Sequence, residues 1–196
     1  MKVLLINPPY TNFEGMKESG GHMMPLNLAY LAAYLRERIK CQIVILDAEV
    51  QGLDYKQIQS HLKKEKADIV GLTCPTPTMN HVFRILKIVK TEIDPECITV
   101  VGGIHPTALP LETIQNSDID FLVAGEGEIT LFELVDALIK RKKDFSHIDG
   151  LYFKRNGKII ANKPRQFIED LDSIPFPARD LFDLEIYAQA PTKKMS

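Results

Sequence analysis

The chain has 196 residues, enough to bury one sizeable core and still carry an appendage. Its 45% hydrophobic and 26% charged residues are those of an ordinary globular protein. A formal net charge of −2 without any basic stripe argues against nucleic acid or an anionic membrane surface as the main partner.

Met1-Lys2 runs directly into Val3-Leu4-Leu5-Ile6, an apolar run too short for a secretory leader or a membrane span. Cys41, Cys74 and Cys97 stand far apart, with no pair at metal-ligand spacing, as in a reducing compartment. Both features predict a cytoplasmic protein.

Val3 to Ile6 reads as a strand buried on both faces, ended by Asn7-Pro8-Pro9 because proline cannot donate to a ladder. A long loop follows, carrying Gly15, Gly20, Gly21, Met16, Met23 and Met24, and loops of this length in a domain are functional or disordered. Pro25 opens a helix in which Leu28, Leu31, Ala32, Leu35 and Ile39 share one stripe. Ile43 to Leu46 is the second strand, and Tyr55 to Lys66 the second helix, with Ile58 and Leu62 turned inward.

Ile69 to Leu72 is the third strand, stopped by Thr73-Cys74-Pro75-Thr76-Pro77-Thr78. A third helix runs from about Met79 to Ile93 on a stripe of Val82, Ile85, Leu86 and Val89. Ile98 to Val101 is the fourth strand and stops at Gly102-Gly103-Ile104-His105-Pro106-Thr107. A short helix near Leu111 to Asn116 leads to the fifth strand, Phe121 to Ala124. Gly125-Glu126-Gly127-Glu128 then opens a helix over Ile129 to Lys140, whose cationic end Arg141-Lys142-Lys143 suits the helix dipole.

Five alternations of strand and helix predict an α/β, doubly wound domain (flavodoxin-like or Rossmann-like) with a five-stranded parallel sheet over residues 1–144. Arg155-Asn156-Gly157 between two apolar runs predicts a β-hairpin, placed in an extension over 145–165. Residues 166–196 read as a proline-punctuated linker, with a turn of helix near Leu181 to Tyr187.

Ligands of open α/β sheets bind beyond the carboxyl ends of the strands. The loops on that edge are rich in glycine, proline and hydroxyls and poor in acids or bases suited to catalysis. Gly102-Gly103 admits close approach, by a ligand or by a neighbouring helix. His105 either contacts a ligand or caps the helix it opens. Cys74 at a strand end has no neighbour in sequence that would lower its pKa. Glu126 and Glu128 at a helix start favour capping and would repel a phosphate. No dinucleotide fingerprint, Walker loop or nucleophile elbow is present, so no self-contained catalyst is predicted.

Four loop motifs occur together and in order: Asn7-Pro8-Pro9, Thr73-x-x-Thr76-Pro77, Gly102-Gly103-x-His105-x-Thr107 and Gly125-Glu126-Gly127-Glu128. The set resembles the N-terminal cobalamin-binding domain of the cobalamin-dependent radical SAM enzymes. Leu171 to Asp180 is similar to the linker that precedes the radical SAM barrel in those proteins. The resemblance spans nearly the whole chain.

It implies a cobalamin site made by Asn7, Pro8, Pro9, Thr73, Cys74, Thr76, Pro77, Gly102, Gly103, His105, Thr107, Gly125, Glu126 and Gly127. The nucleotide tail would enter between the first and third strands, threonine hydroxyls would bind it, and the methionine loop would lie on the corrin. The Cys-x-x-x-Cys-x-x-Cys triad for a [4Fe–4S] cluster is absent, so the cluster, S-adenosylmethionine and the barrel are expected past Ser196 in a longer protein. The Asp-x-His-x-x-Gly motif of histidine-ligated cobalamin domains is also absent, and Asp144-Phe145-Ser146-His147 has the wrong spacing. A cofactor-free interaction or dimerisation module of the same fold is the alternative, and a flavin or nucleotide binder is disfavoured by Glu126 and Glu128.

Overall fold

Five apolar runs pair side by side in the computed structural model, which describes residues 1–10 and 23–187. They are β1 (Lys2–Asn7), β2 (Gln42–Asp47), β3 (Ile69–Thr73), β4 (Ile98–Gly102) and β5 (Phe121–Val123), all parallel. The expected five-stranded sheet is extended to seven. The hairpin β6 (Leu151–Arg155) and β7 (Lys158–Ala161) adds antiparallel strands to the free edge of β5, in the order β2-β1-β3-β4-β5-β6-β7. The reason is apolar continuity. Phe153 lies opposite Phe121, and with Phe145 they form an aromatic cluster with ring centroids 5.0 to 6.2 Å apart.

The pleat divides the strand residues between two cores. Leu4, Ile6, Val70, Leu72, Val101 and Leu122 face α2 (Tyr55–Glu65) and α3 (Met79–Ile88). Val3, Leu5, Ile69, Val100 and Val123 face α1 (Leu26–Arg38) and α6 (Gly127–Ile139). Between β4 and β5 the chain forms two short helices, α4 (Ile104–Ala108) and α5 (Pro110–Thr113). The expected third helix is divided, ending as a wider π turn over Val89–Ile93. There Lys90 Nζ donates to the carbonyls of Pro95 and Cys97 and to Asp120, tying the turn to the neighbouring loops.

Local chemistry sets the element ends. Asp54 and Gln57 form a reciprocal capping box at α2, each side chain accepting from the other's backbone N–H at 2.8 Å. Asn156 and Gly157 both take positive φ at the hairpin turn, as the Asn-Gly pair predicts.

The segment after the hairpin folds back over α1 rather than leaving the domain. Ala178 is buried and its N–H donates to Ala29 O at 3.0 Å, Asp180 pairs with Arg36, and α7 (Leu184–Tyr187) brings the Tyr187 hydroxyl to Asp47 at 2.6 Å. No helix among the described residues is long and apolar enough to cross a membrane.

Candidate functional site

Strand order reverses between β1 and β3, because β2 lies outside β1 while β3, β4 and β5 extend the other way. Such a reversal leaves a crevice at the carboxyl ends of the strands. A cavity of about 220 Å³ opens there between α1, α6 and the sheet.

Its floor is apolar and buried, made by Leu5, Leu28, Val100 and Leu131, with Gly71 in the middle of β3 contributing no side chain. A Cβ at Gly71 would lie 2.9 Å from Leu5 Cδ2, so a larger residue would have to displace the floor. The mouth is polar, with Asn27, Thr73, Glu126 and Glu128 around it. Asn27 Nδ2 donates to Thr73 Oγ1 at 2.9 Å, bridging α1 to the end of β3.

Of the site residues expected from the sequence, Thr73, Gly102, Gly103, Gly125, Glu126 and Gly127 line this cavity. Gly103 has φ of +106°, and a Cβ there would sit 3.0 Å from Thr73 Oγ1 and 3.1 Å from Cys74 N. Gly102 is different: a Cβ would make ordinary contact, 3.5 Å from Val123 O. The first glycine of the pair therefore keeps space, and the second is required by backbone and crowding together.

Thr107 is a strut rather than a free hydroxyl at the opening. Its Oγ1 donates to Gly103 O at 2.8 Å and accepts from Gly125 N at 2.9 Å, joining the loops after β4 and β5. His105 is buried inside α4 and makes no cap bond to it. Its Nδ1 lies 3.3 Å from Thr76 Oγ1, while Nε2 has no hydrogen-bond partner among the described residues. Neither His105 nor Thr76 lines the cavity.

Asn7, Pro8, Pro9, Cys74 and Pro77 also lie outside the cavity wall. Asn7 Nδ2 donates to Asp47 Oδ1 at 2.9 Å, which organises the β1–β2 end of the edge. Cys74 packs in the core between the sheet and α2–α3, where burial pushes its thiol up to about 12 and leaves it unreactive. Of the methionine loop, Met23 and Met24 are described and Met23 is exposed, whereas Gly15, Met16, Gly20, Gly21 and His22 lie outside the described residues.

The two carboxylates at the start of α6 have separate roles. Glu126 occupies the N-cap position without capping; its Oε2 accepts from Ile168 N at 2.7 Å, holding the segment after the hairpin against the mouth. Glu128 faces the cavity, and desolvation pushes its carboxyl above the ordinary glutamate value. Its own N–H and that of Gly127 oppose the shift, and the neighbouring Glu126 adds to it. The mouth therefore suits hydroxyl and N–H donors.

Sequence reasoning missed Asn27, Gly71 and the apolar floor. A glycine inside the otherwise branched run Ile69-Val70-Gly71-Leu72 was the available signal, since strand glycines mark close approach. Nothing local could have shown that residues of α1 and α6 frame an opening above it.

The B12 binding domain family model matches residues 15–135. Over 188 residues the chain is 39% identical to an uncharacterized methyltransferase of Pyrococcus horikoshii, covering 95% of this chain and 40% of that protein. It is 34% identical over 198 residues to the anaerobic magnesium-protoporphyrin IX monomethyl ester cyclase of Rubrivivax gelatinosus, covering 99% and 35%. The chain thus spans well under half the length of these relatives.

Among solved structures it superposes on the cobalamin-dependent S-adenosylmethionine radical enzyme OxsB with aqua-cobalamin and S-adenosylmethionine bound, at TM-score 0.78. That match has 21% identity and covers 95% of this chain and 25% of that one. It also matches the methyltransferase TsrM of Kitasatospora setae with cobalamin and a [4Fe-4S] cluster bound, at TM-score 0.69 and 21% identity, covering 90% and 31%. At these identities the superpositions establish the fold.

Proposed function

This chain belongs to the family of B12-binding domains, and from that premise we propose that it holds cobalamin at the carboxyl edge of the sheet and presents it to a radical SAM catalytic domain. The observation that carries the reading is the cavity itself, an apolar slot at the strand-order reversal whose polar groups are confined to its mouth. It suits the aromatic base and ribose of the cobalamin nucleotide tail, whose phosphodiester would stay outside the mouth on the way to the corrin. The corrin would then rest on the loops after β1, β3 and β4.

The family's residues fit the group in three respects. Gly71, Gly102 and Gly127 keep the slot free of side chains. The buried Nε2 of His105 at the adjoining loop is a polar atom left for a ligand to satisfy. Thr73 and Asn27 supply hydrogen-bonding groups where the tail would enter. In this reading Cys74 and Thr107 support the loops rather than touch the cofactor. Bound cobalamin would supply cobalt-based methyl-carrying or radical chemistry to the neighbouring domain, while this chain's own residues bind, orient and shield.

Residues 1–144 with the hairpin 145–165 would form the binding unit, and 166–196 the connection towards a radical SAM barrel. The catalysed reaction, methyl transfer or a related radical conversion, would belong to that barrel together with its cluster and S-adenosylmethionine. A cytoplasmic site of action without nucleic acid as partner is consistent with the near-neutral net charge.

Ultraviolet–visible titration of the purified chain with hydroxocobalamin tests the proposal. A perturbed corrin spectrum saturating at one equivalent is expected. A circular dichroism spectrum of a folded α/β protein with no corrin perturbation would overturn it.

A further inference from the structure

We infer that the cavity selects among cobalamin-type cofactors by the polarity of the lower base, accepting a benzimidazole and rejecting a purine. The inference rests on the reading that the nucleotide tail occupies this cavity.

Depth and polarity are separated along the strands. Thr73, Gly102 and Gly103 stand at the strand ends beside the mouth, whereas Gly71 and Val100 lie two residues further in, beside Leu5. Two strand residues span about 7 Å, the scale of a fused bicyclic ring seen along its length. Over that depth the floor offers Leu5, Leu28, Val100 and Leu131 side chains. The backbone groups of Leu5, Gly71 and Val100 belong to paired strands, so the ladder already uses them. Among the described residues, a base that enters finds no side-chain donor or acceptor at the bottom.

The base enters by its six-membered ring, because the ribose bonded to its five-membered ring must remain at the mouth on the way back to the corrin. In a dimethylbenzimidazole that leading edge is all carbon and two methyl groups, and its burial is favourable. In adenine the same edge carries two ring nitrogens and an exocyclic amine. Each would lose water without a partner, since the polar side chains Asn27, Thr73, Glu126 and Glu128 all lie at the opposite end. Glu126 and Glu128 instead meet the ribose, whose hydroxyls are donors common to both cofactors, so they do not compensate the purine. The floor, not the mouth, makes the distinction.

Calorimetric titration of the full chain with three probes tests this: dicyanocobalamin, the dicyano form of the adeninyl cobamide, and dicyanocobinamide, which lacks the nucleotide. Cyanide occupies both axial positions, so the release of the base from cobalt is the same for each. The adeninyl form is expected to bind at least about tenfold more weakly than dicyanocobalamin, and no better than the cobinamide. In Leu31→Gln, which places an amide on the half-buried α1 wall of the cavity, the difference should shrink to about threefold or less.

Equal binding of cobalamin and the adeninyl form, both tighter than the cobinamide, would overturn the inference and leave the tail in the cavity. An unchanged difference in a folded Leu31→Gln would also overturn it. Equal binding of all three would remove the tail from the cavity, and no binding by any of them would overturn the cobalamin reading itself.

Discussion

Gly103 and Glu128 show how single residues hold the mouth in shape. With φ of +106° and a would-be Cβ 3.0 Å from Thr73 Oγ1, Gly103→Ala combines backbone strain with a collision against β3. It should lower unfolding stability by about 1–3 kcal/mol in urea denaturation. Gly125→Ala, at φ of +82° with nothing within 4 Å, should cost less, about 1 kcal/mol. Equal losses would show that crowding at Gly103 is relieved at no cost.

Glu128 makes a prediction in pH. Its folded pKa is raised above 4.5, chiefly by desolvation, so the folded chain binds its proton more tightly than the unfolded chain does. The associated stability is fully present below the unfolded value and is lost as pH rises from about 4.5 through the raised folded value. Glu128→Gln should abolish that part of the decline, seen as a flatter unfolding midpoint between acid and neutral pH. A profile identical to the parent protein would mean that Glu128 titrates normally.

Among the elements, the segment that follows the hairpin carries information that its composition hides. It is pinned at Glu126 through Ile168 N, at Ala29 through Ala178 N, at Arg36 through Asp180, and at Asp47 through Tyr187. The Arg36–Asp180 pair is exposed and worth less than about 1 kcal/mol. The Tyr187 hydroxyl reaches Asp47, which is 3% exposed and also accepts from Asn7 and from Val50 N. Burial and this carboxylate both push the tyrosine pKa up, so the phenol keeps its proton and donates.

Tyr187→Phe removes that donor from a buried carboxylate, at about 1–3 kcal/mol. The loss should appear as local opening, with hydrogen exchange at Ala178 N–H accelerated about tenfold or more and a smaller shift of the global midpoint. Unchanged exchange at Ala178 would show that the segment is held without Tyr187. One end of this strap lies on Glu126 at the cavity mouth and the other on the Asn7–Asp47 pair, so its path follows the candidate site.

At the scale of the whole molecule, the antiparallel hairpin completes a parallel sheet. β5 has only three residues, and its outer edge would be bare without β6. Leu151, Phe153 and Ile148 are buried in the same core as Val100, Leu131 and Leu134, which line or support the cavity. A chain ended at residue 144 should therefore lose the cooperative unfolding transition and expose apolar surface to a dye such as ANS. A sharp transition in that shortened chain would show that the hairpin is dispensable.

Most of the elements were legible in the sequence because buried parallel strands are continuous apolar runs and the helices carry a regular stripe, both local patterns. The Asn-Gly turn and the glycines after β4 and before α6 were legible for the same reason, since each answers to its own φ and its immediate neighbours. Sequence alone could also group Thr73, Gly102, Gly103, Gly125, Glu126 and Gly127 at one sheet edge, because alternation of strand and helix puts those loops together. Tertiary structure decided what distance along the chain conceals. The hairpin joined β5 through Phe121, Phe145 and Phe153, the last 32 residues away from the first, and the strap folded back over α1. Cys74 and His105 were turned away from the slot, while Leu5, Asn27 and Gly71 were brought into it. A strand residue's face follows from parity, but whether that face meets a helix or an opening depends on how far α1 and α6 stand apart, a balance of packing that no single segment contains.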